Sequence, residues 1–387
     1  MAKTLAIHPL KRMPRSALVV PLIAVRSFAT KTPRLEAVDL ARGIAVLLMI
    51  LSHGVKGLLT FDDFPDWGLV PVHLITKFSS TLFILVFGIS LAVAFVPFVG
   101  RPDWPKKRRK LLVRGLVVLF WYKVLTIVEM FHLYEREEIV DTLLYKTFPS
   151  YVEILGFYAL ALLWIPFVLG AWRSLPLTAR IMTPFILAAA SAWLHNHFHF
   201  WGNDVLKALL VEHRDYYTWG QLARAPLIFL GLLIGEGLRY RWTAKSRTGV
   251  SMWIIVSLFL ASALCFTAFS WLTWPDLYQE MRFIAFNRGK HPPDLPFMLF
   301  SMGGATLILA ASFLGGNRLA AVLRPITLVG KDAMGAFVFH IFVIFVIFRF
   351  LLDYFHKVTY MHALGLTIGL MIATPIWLRI KSWTSAR

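Results

Sequence analysis

Apolar runs of about 20 residues, the length that crosses a ~30 Å hydrocarbon layer, recur from one end of the chain to the other. Inside hydrocarbon every backbone N–H and C=O needs a partner, which leaves helices or a closed barrel. Barrel strands would read as short alternating segments, whereas these runs are continuous. Apolar windows place ten helices at approximately 39–59, 73–98, 111–130, 152–172, 177–194, 222–238, 250–273, 296–314, 333–353 and 362–378. Charged residues make up 16% of the chain, against roughly a quarter in a soluble domain. The expected fold class is all-α: a polytopic integral membrane protein whose ten transmembrane helices form one bundle.

The net charge of +19 invites a nucleic-acid reading, but its placement argues against one. Lys and Arg fall in alternate loops: seven in residues 1–38, six in "GRPDWPKKRRK", four in "LRYRWTAKSRTG", three in "GGNRLAAVLRPITLVGK" and three in the C-terminal tail. The loops between read acidic or nearly neutral, except 275–295, where three basic residues face three acidic ones. Basic loops stay cytoplasmic, so both termini are expected inside, consistent with an even number of spans. No folded basic domain that could grip a duplex is visible. Residues 1–38 then form a basic cytoplasmic tail, 39–378 the transmembrane domain and 379–387 a cytoplasmic C-terminal tail. "SALVVPLIAV" (16–25) is too short to span and lacks a small-residue cleavage pattern, although a cleaved signal or an organelle transit peptide are alternatives for the acid-free start. The single cysteine, Cys265, cannot form an internal disulfide and says nothing about redox compartment.

"ARGIAVLLMILSH" (41–53) places an arginine and a histidine eleven positions apart in an apolar helix. Eleven residues advance ~16.5 Å and turn ~1100°, about 20° past three full turns. Arg42 and His53 therefore share a face, with Ala45, Val46 and Met49 between them, and Asp39 sits one turn before Arg42, placed to pair with it. With the N-terminus inside, Arg42 lies at the inner boundary and His53 just beyond the bilayer centre. Snorkelling to headgroups explains Arg42 alone. An ionisable ring at the depth of His53 normally faces a cavity and a partner. Together the two fit a bundle with an internal tunnel.

"RLEAVDLARGIAVLLMILSH" (34–53) resembles the opening of the membrane acyltransferase-3 superfamily, whose hallmark is an arginine, ten residues and a histidine on the first core helix. It is also similar to the related heparan-α-glucosaminide N-acetyltransferase-like and glucan-succinylating proteins. "TKFSSTLFILVFGISLAVAF" (76–95) resembles the second helix, with Phe87-Gly88-Ile89 where the family has Ser-Gly-Phe. "KKRRKLLVRGL" (106–116) resembles the basic start of the third. "LVGKDAMGAFVFH" (328–340) resembles the closing helix, with Ala333 and Met334 standing in for Ser-Leu. The resemblance implies transfer of an acyl group, usually acetyl, from a donor such as acetyl-CoA to a sugar hydroxyl or amine.

The residues fit that chemistry on their own terms. A cytoplasmic thioester donor with several phosphates needs cations at an inner mouth, where Arg42, Arg108, Arg109 and Arg114 fall, and arginine forks suit phosphate oxygens. An extended pantetheine arm from there would deliver its thioester to His53. A buried imidazole stays neutral and can take a proton from an attacking hydroxyl, or carry the acyl group itself. A glycan or glycolipid acceptor would enter from the outer side, whose loops supply Tyr, Trp and His.

Other intramembrane polar residues carry competing readings. His340 is either a helix-packing residue or a substrate contact, and Asp332 reads as an N-terminal cap. Lys123, mid-span in the third helix, needs a partner or a cavity; Glu129 is too far round that helix to serve it. Glu236 closes the sixth span near the interface. Glu153, at the start of the fourth span, is a candidate substrate contact and a candidate for the carboxylate that orients His53. The alternating histidines of "HNHFHF" (195–200) lack a nearby Cys or carboxylate, so no metal is expected.

The reading favoured by the residues is a multi-pass acyltransferase of a bacterial inner membrane, with His53, Arg42 and Asp39 catalytic, Arg42, Arg108, Arg109 and Arg114 on the donor, and His340, Glu153 and Lys123 on the acceptor. A secondary transporter or lipid flippase is the alternative, although spans 1–5 do not repeat in spans 6–10. A membrane scaffold would leave Arg42, Lys123 and His53 unexplained.

Overall fold

The structure, a computed structural model, describes residues 35–243 and 250–384. The tail expected at 1–38 lies outside the described residues as far as Arg34, as do residues 244–249 of the basic loop after the sixth span. The helices in chain order are α1 (Glu36–Leu58), α2 (Phe78–Ala94), α3 (Trp104–Met130), α4 (Arg136–Leu143), α5 (Glu153–Ser174), α6 (Leu177–His197), α7 (Asp204–Val211), α8 (Gln221–Thr243), α9 (Met252–Thr273), α10 (Leu277–Ala285), α11 (Leu295–Val322), α12 (Arg324–Lys331), α13 (Ala333–Phe342) and α14 (Tyr360–Thr384). A wound segment over Gly68–Lys77 leads into α2, and α13 runs on through a π-helical stretch at Val343–Leu351.

Each of the ten expected spans corresponds to one helix long and apolar enough to cross a membrane, and the described residues contain no strand. The fold class is all-α, as expected. Boundaries move where hydropathy is blind to helix chemistry. The third span starts at Trp104 rather than 111, because Pro105 fits a first helical turn and Lys and Arg are good helix formers. The eighth runs on to Val322, bending at Gly316, where φ is +51°. The short α4, α7, α10 and α12 fall in segments that read as loops, since a 19-residue window averages them away.

The first helix is the centre of the bundle, touched by α2, α11, α12, α13 and α14. It buries 61% of its apolar window, against 11% for α6, which stands at the periphery. Small residues let the inner helices approach closely. On α2, a Cβ added to Gly88 would meet the Ile228 carbonyl, and one on Gly231 of α8 would meet that of Leu85. Gly43 of α1 and Gly330 of α12 meet in the same way: a Cβ on Gly43 would strike the Ile326 carbonyl and one on Gly330 that of Asp39. Such backbone-to-backbone seams are how membrane helices gain van der Waals contact without a hydrophobic drive.

Ion pairs join the chain's two described ends. Lys331 reaches Glu36 at 2.9 Å, and Lys381 reaches Asp332 at 2.7 Å. The starts of α1 and α13 and the end of α14 therefore lie at one end of the bundle. Asp332 also accepts from the Gly335 N–H at 3.0 Å, so it caps α13 as its position suggested.

The opposite end is held by buried polar groups. Glu129, closing α3, accepts from the backbone N–H of Ser150 at 2.7 Å and those of Tyr151 and Val152 at 3.1 Å, holding the turn that leads into α5. The last carbonyls of α1 are satisfied from outside the helix: Tyr151 donates its hydroxyl to the Lys56 carbonyl at 2.6 Å, and Arg349 donates to that of Gly57. Before α8, Glu212 is fully buried between Arg224 Nε at 2.7 Å and His291 Nδ1 at 2.8 Å. Arg224 also donates to the Lys290 carbonyl, so this triad fixes the strand of chain before α11.

Two measurements check this packing. Gly231→Val should lower the melting temperature in detergent by several degrees, since overpacking costs about 1–3 kcal/mol. Gly170→Val, where an added Cβ meets nothing within 4 Å, should leave it unchanged. Burial pushes the His291 imidazole down to about 4 against the pull of Glu212. The unfolded chain binds that proton near pH 6.5, about the free value. Between there and about 4 the unfolded state holds more protons, so stability falls as pH falls. His291→Gln keeps a donor for Glu212 and does not titrate, so its melting temperature should fall less between pH 7 and 5; an equal fall would remove His291 as the source.

Candidate functional site

The imidazole of His53 sits little more than one turn before the C-terminal end of α1 and is half-buried. Its Nδ1 lies 3.1 Å from Nε2 of His340, and Nδ1 of His340 lies 3.0 Å from the Ala336 carbonyl oxygen. A carbonyl only accepts, so in the neutral ring of His340 Nδ1 carries the hydrogen and Nε2 a lone pair. That lone pair in turn requires the hydrogen of His53 on Nδ1. The chain of donors thus fixes one tautomer, leaving the lone pair on Nε2 of His53. The ring is held edge-on by Tyr151, with centroids 5.5 Å apart, and by Phe337 at 6.2 Å.

His340 is fully buried, and its contact with His53 ties two helices, the packing alternative among its two expected readings. It occupies the place beside Nδ1 of His53 where the sequence reading looked for a carboxylate. A neutral acceptor facing Nδ1–H suffices to fix the tautomer of the ring.

Beside His53 is a polar cavity. Its walls are Met49 and Ser52 from α1, Thr76, Lys77, Ser79 and Ser80 from the start of α2, Glu153 and Ile154 from α5, Trp219 before α8, and Asn287 and Lys290 before α11. Glu153 accepts from Trp219 Nε1 at 3.2 Å through Oε1, while its buried Oε2 has no partner. Lys77 donates to Asn287 Oδ1 at 2.5 Å, and Lys290 donates to the Tyr217 hydroxyl. Lys290 lies outside the spans, and burial pushes it down to about 8 although Glu153 pulls the other way. It is still a cation at neutral pH.

At the other end of the same face of α1, Arg42 pairs with Asp39 at 2.8 Å, as their spacing indicated. It also donates to Ser90 Oγ of α2 at 2.7 Å and to the Gly330 carbonyl of α12 at 3.0 Å. Between it and His53, Ala45 and Val46 are fully buried, and the cavity around His53 extends only to Met49. The continuous tunnel expected between the two residues is therefore not open here. Arg108, Arg109 and Arg114 are exposed along the first turns of α3, with Arg108 over the Phe167 ring at 5.5 Å.

Lys123 is not part of the cavity. It donates to the Leu143 carbonyl at 2.6 Å and lies 3.4 Å from the centre of the Tyr145 ring, which satisfies it structurally. Glu236 pairs with Arg180 at 3.0 Å. In the histidine-rich segment, His195 contacts the Glu212 carbonyl and His197 that of Trp193. Among the described residues no group of three His, Cys, Asp or Glu is arranged to hold a metal.

Of the residues singled out from sequence, the structure brings His53, His340 and Glu153 together and sets Arg42 and Asp39 at the opposite end. It adds Lys77, Trp219, Asn287, Lys290 and Tyr151. Two of these left a trace in the sequence. Lys77 is a lysine within a predicted span, the same signal that drew attention to Lys123. Lys290 belongs to the loop, 275–295, whose basic residues broke the expected alternation of charge.

No curated protein matches the chain. Residues 35–380, nearly everything from the first helix to the last, match the family model described as an acyltransferase domain. An integral bundle of ten apolar helices with a polar, histidine-bearing cavity is the setting that match implies, and the chain belongs to this acyltransferase family.

Proposed function

We propose that His53 is the general base of an acyl transfer carried out within the membrane. The donor is a cytoplasmic acyl-CoA, acetyl-CoA in the simplest case, and the acceptor is a hydroxyl of an extracytoplasmic or membrane-associated glycan. The observation that carries the reading is the fixed tautomer: His340 and the Ala336 carbonyl leave the Nε2 lone pair of His53 available beside the cavity. The acceptor's hydroxyl gives its proton to that nitrogen as its oxygen bonds to the thioester carbon. The C–S bond then breaks, and the thiolate departs with the proton returned by the imidazolium. Serine and threonine hydroxyls of the wall can hold a sugar ring in place.

The bundle's ends supply the direction. Ion pairs gather the starts of α1 and α13 and the end of α14 at the end where Arg42 lies, and the cavity is at the other. With basic loops inside, the arginine end is cytoplasmic and both termini are too, in what we take to be a bacterial inner membrane. Arg42, Arg108, Arg109 and Arg114 then face the phosphates of the donor, with Asp39 holding Arg42 in register. The acceptor reaches His53 from outside.

Four variants at three positions test the assignment. His53→Ala should lower transfer from labelled acetyl-CoA by about 10²–10⁴-fold or more, while the protein still inserts and melts normally; near-normal turnover would remove His53 from the chemistry. His340→Ala should lower kcat with little change in KM, and His340→Gln, whose carbonyl oxygen can accept from Nδ1–H, should restore part of it. A structural role alone would show no such rescue. Arg42→Lys keeps the charge but loses the fork, so donor KM should rise more than acceptor KM.

A further inference from the structure

The cavity beside His53 carries more positive charge than its own groups balance. Lys77 and Lys290 line it, and Lys56, on the next turn of α1 beyond His53, is near enough to act electrostatically on His53 and Lys77. The one carboxylate in the wall is Glu153. Among the described residues none of these three lysines forms an ion pair. Their partners are neutral: Asn287 for Lys77, the Tyr217 hydroxyl for Lys290, and the Phe61 and Tyr151 rings, 5.0 and 5.9 Å from the ammonium of Lys56.

Burying like charges in a low-dielectric bundle is costly, and a protein retains them where a ligand supplies the counter-charge. Asn287 sharpens the point. Its φ is +67°, a left-handed conformation that Asn tolerates better than most residues. Because Lys77 donates to its Oδ1, its amide NH₂ is turned the other way, without a partner among the described residues. The segment therefore presents two ammonium groups and an amide donor around one space.

Resting on the acyl-transfer reading, we infer that Lys77, Asn287 and Lys290, with Lys56 behind them, form an anion-binding subsite beside His53 for a carboxylate or phosphate carried by one of the two substrates. That group could be the distal carboxylate of a dicarboxylic acyl chain or an anionic substituent of the acceptor. An acetyl group and a neutral sugar would leave the subsite's charge unmet.

The test begins without catalysis. Purified protein in detergent is treated with diethyl pyrocarbonate, and modification of His53 is read by peptide mass spectrometry in the presence of succinate or of its neutral analogue succinamide. Succinate should protect His53 at about tenfold lower concentration, as expected of hydrogen bonds to charged groups. Lys77→Met with Lys290→Met should erase that difference, whereas the corresponding Arg variants should keep it. Equal protection of the unmodified protein by succinate and succinamide overturns the proposal, whatever the variants do. Turnover then identifies the source: faster use of succinyl-CoA than acetyl-CoA assigns the anion to the acyl chain, and faster acetylation of uronate-bearing than neutral glycans assigns it to the acceptor. Equal rates in both comparisons overturn it. Charge-dependent protection with no thioester turnover would keep the subsite and reject the acyl-transfer reading instead.

Discussion

The contact between His53 and His340 is where the first and ninth spans are tied by chemistry rather than by packing alone. A 3.1 Å approach of two ring nitrogens is tolerable only if one donates and the other accepts, and the Ala336 carbonyl decides which. Two protonated rings at that spacing would repel, and two lone pairs would too. The surrounding aromatic edges and the buried position of His340 therefore hold a single protonation pattern in place. What the cavity can do follows from that pattern, because it determines which atom of His53 carries an available electron pair.

The two ends of α1 are anchored by different means. At one, Arg42 binds α2 and α12 through its guanidinium fork, with Asp39 supplying the counter-charge. At the other, the helix's last carbonyls are capped by Tyr151 and Arg349, and Tyr151 is itself held by the backbone hydrogen bond that it donates to Glu129. A carboxylate from α3 thus contributes to placing His53 without touching it. The glycine seams bring α2 and α8 close enough for their leading segments to share the cavity wall.

The ten spans were legible because hydrocarbon imposes a length and a polarity that every span must meet separately. Arg42, Asp39 and His53 were legible because an eleven-residue spacing on one helix is a local property, computable from pitch. The cavity's other walls come from segments scattered between residues 76 and 290, and no local rule relates Lys77 to Asn287. The partners that Lys123 needs were hidden for the same reason: the Leu143 carbonyl and the Tyr145 ring lie on the short helix and turn that follow α3. His340 was found by motif with two readings open, since only coordinates reveal that its ring meets that of His53. The wide bend into α2 and the short surface helices escaped because hydropathy averages over more residues than they contain.

The winding of the ninth span carries a mechanical consequence. On a regular α-helix the nine residues from His340 to Arg349 would sweep about 900°, leaving the two side chains on opposite sides. Over Val343–Leu351 the i→i+5 winding spends fewer degrees on each residue. Arg349 is thereby carried back toward the side of His340, and the two residues grip α1 at Gly57 and His53, four positions apart on one face. The slackened coil acts as a gauge block: it matches the spacing of two grips on one helix to that of two holds on another. Tightening it to ordinary pitch would oblige the span to release one grip in order to keep the other.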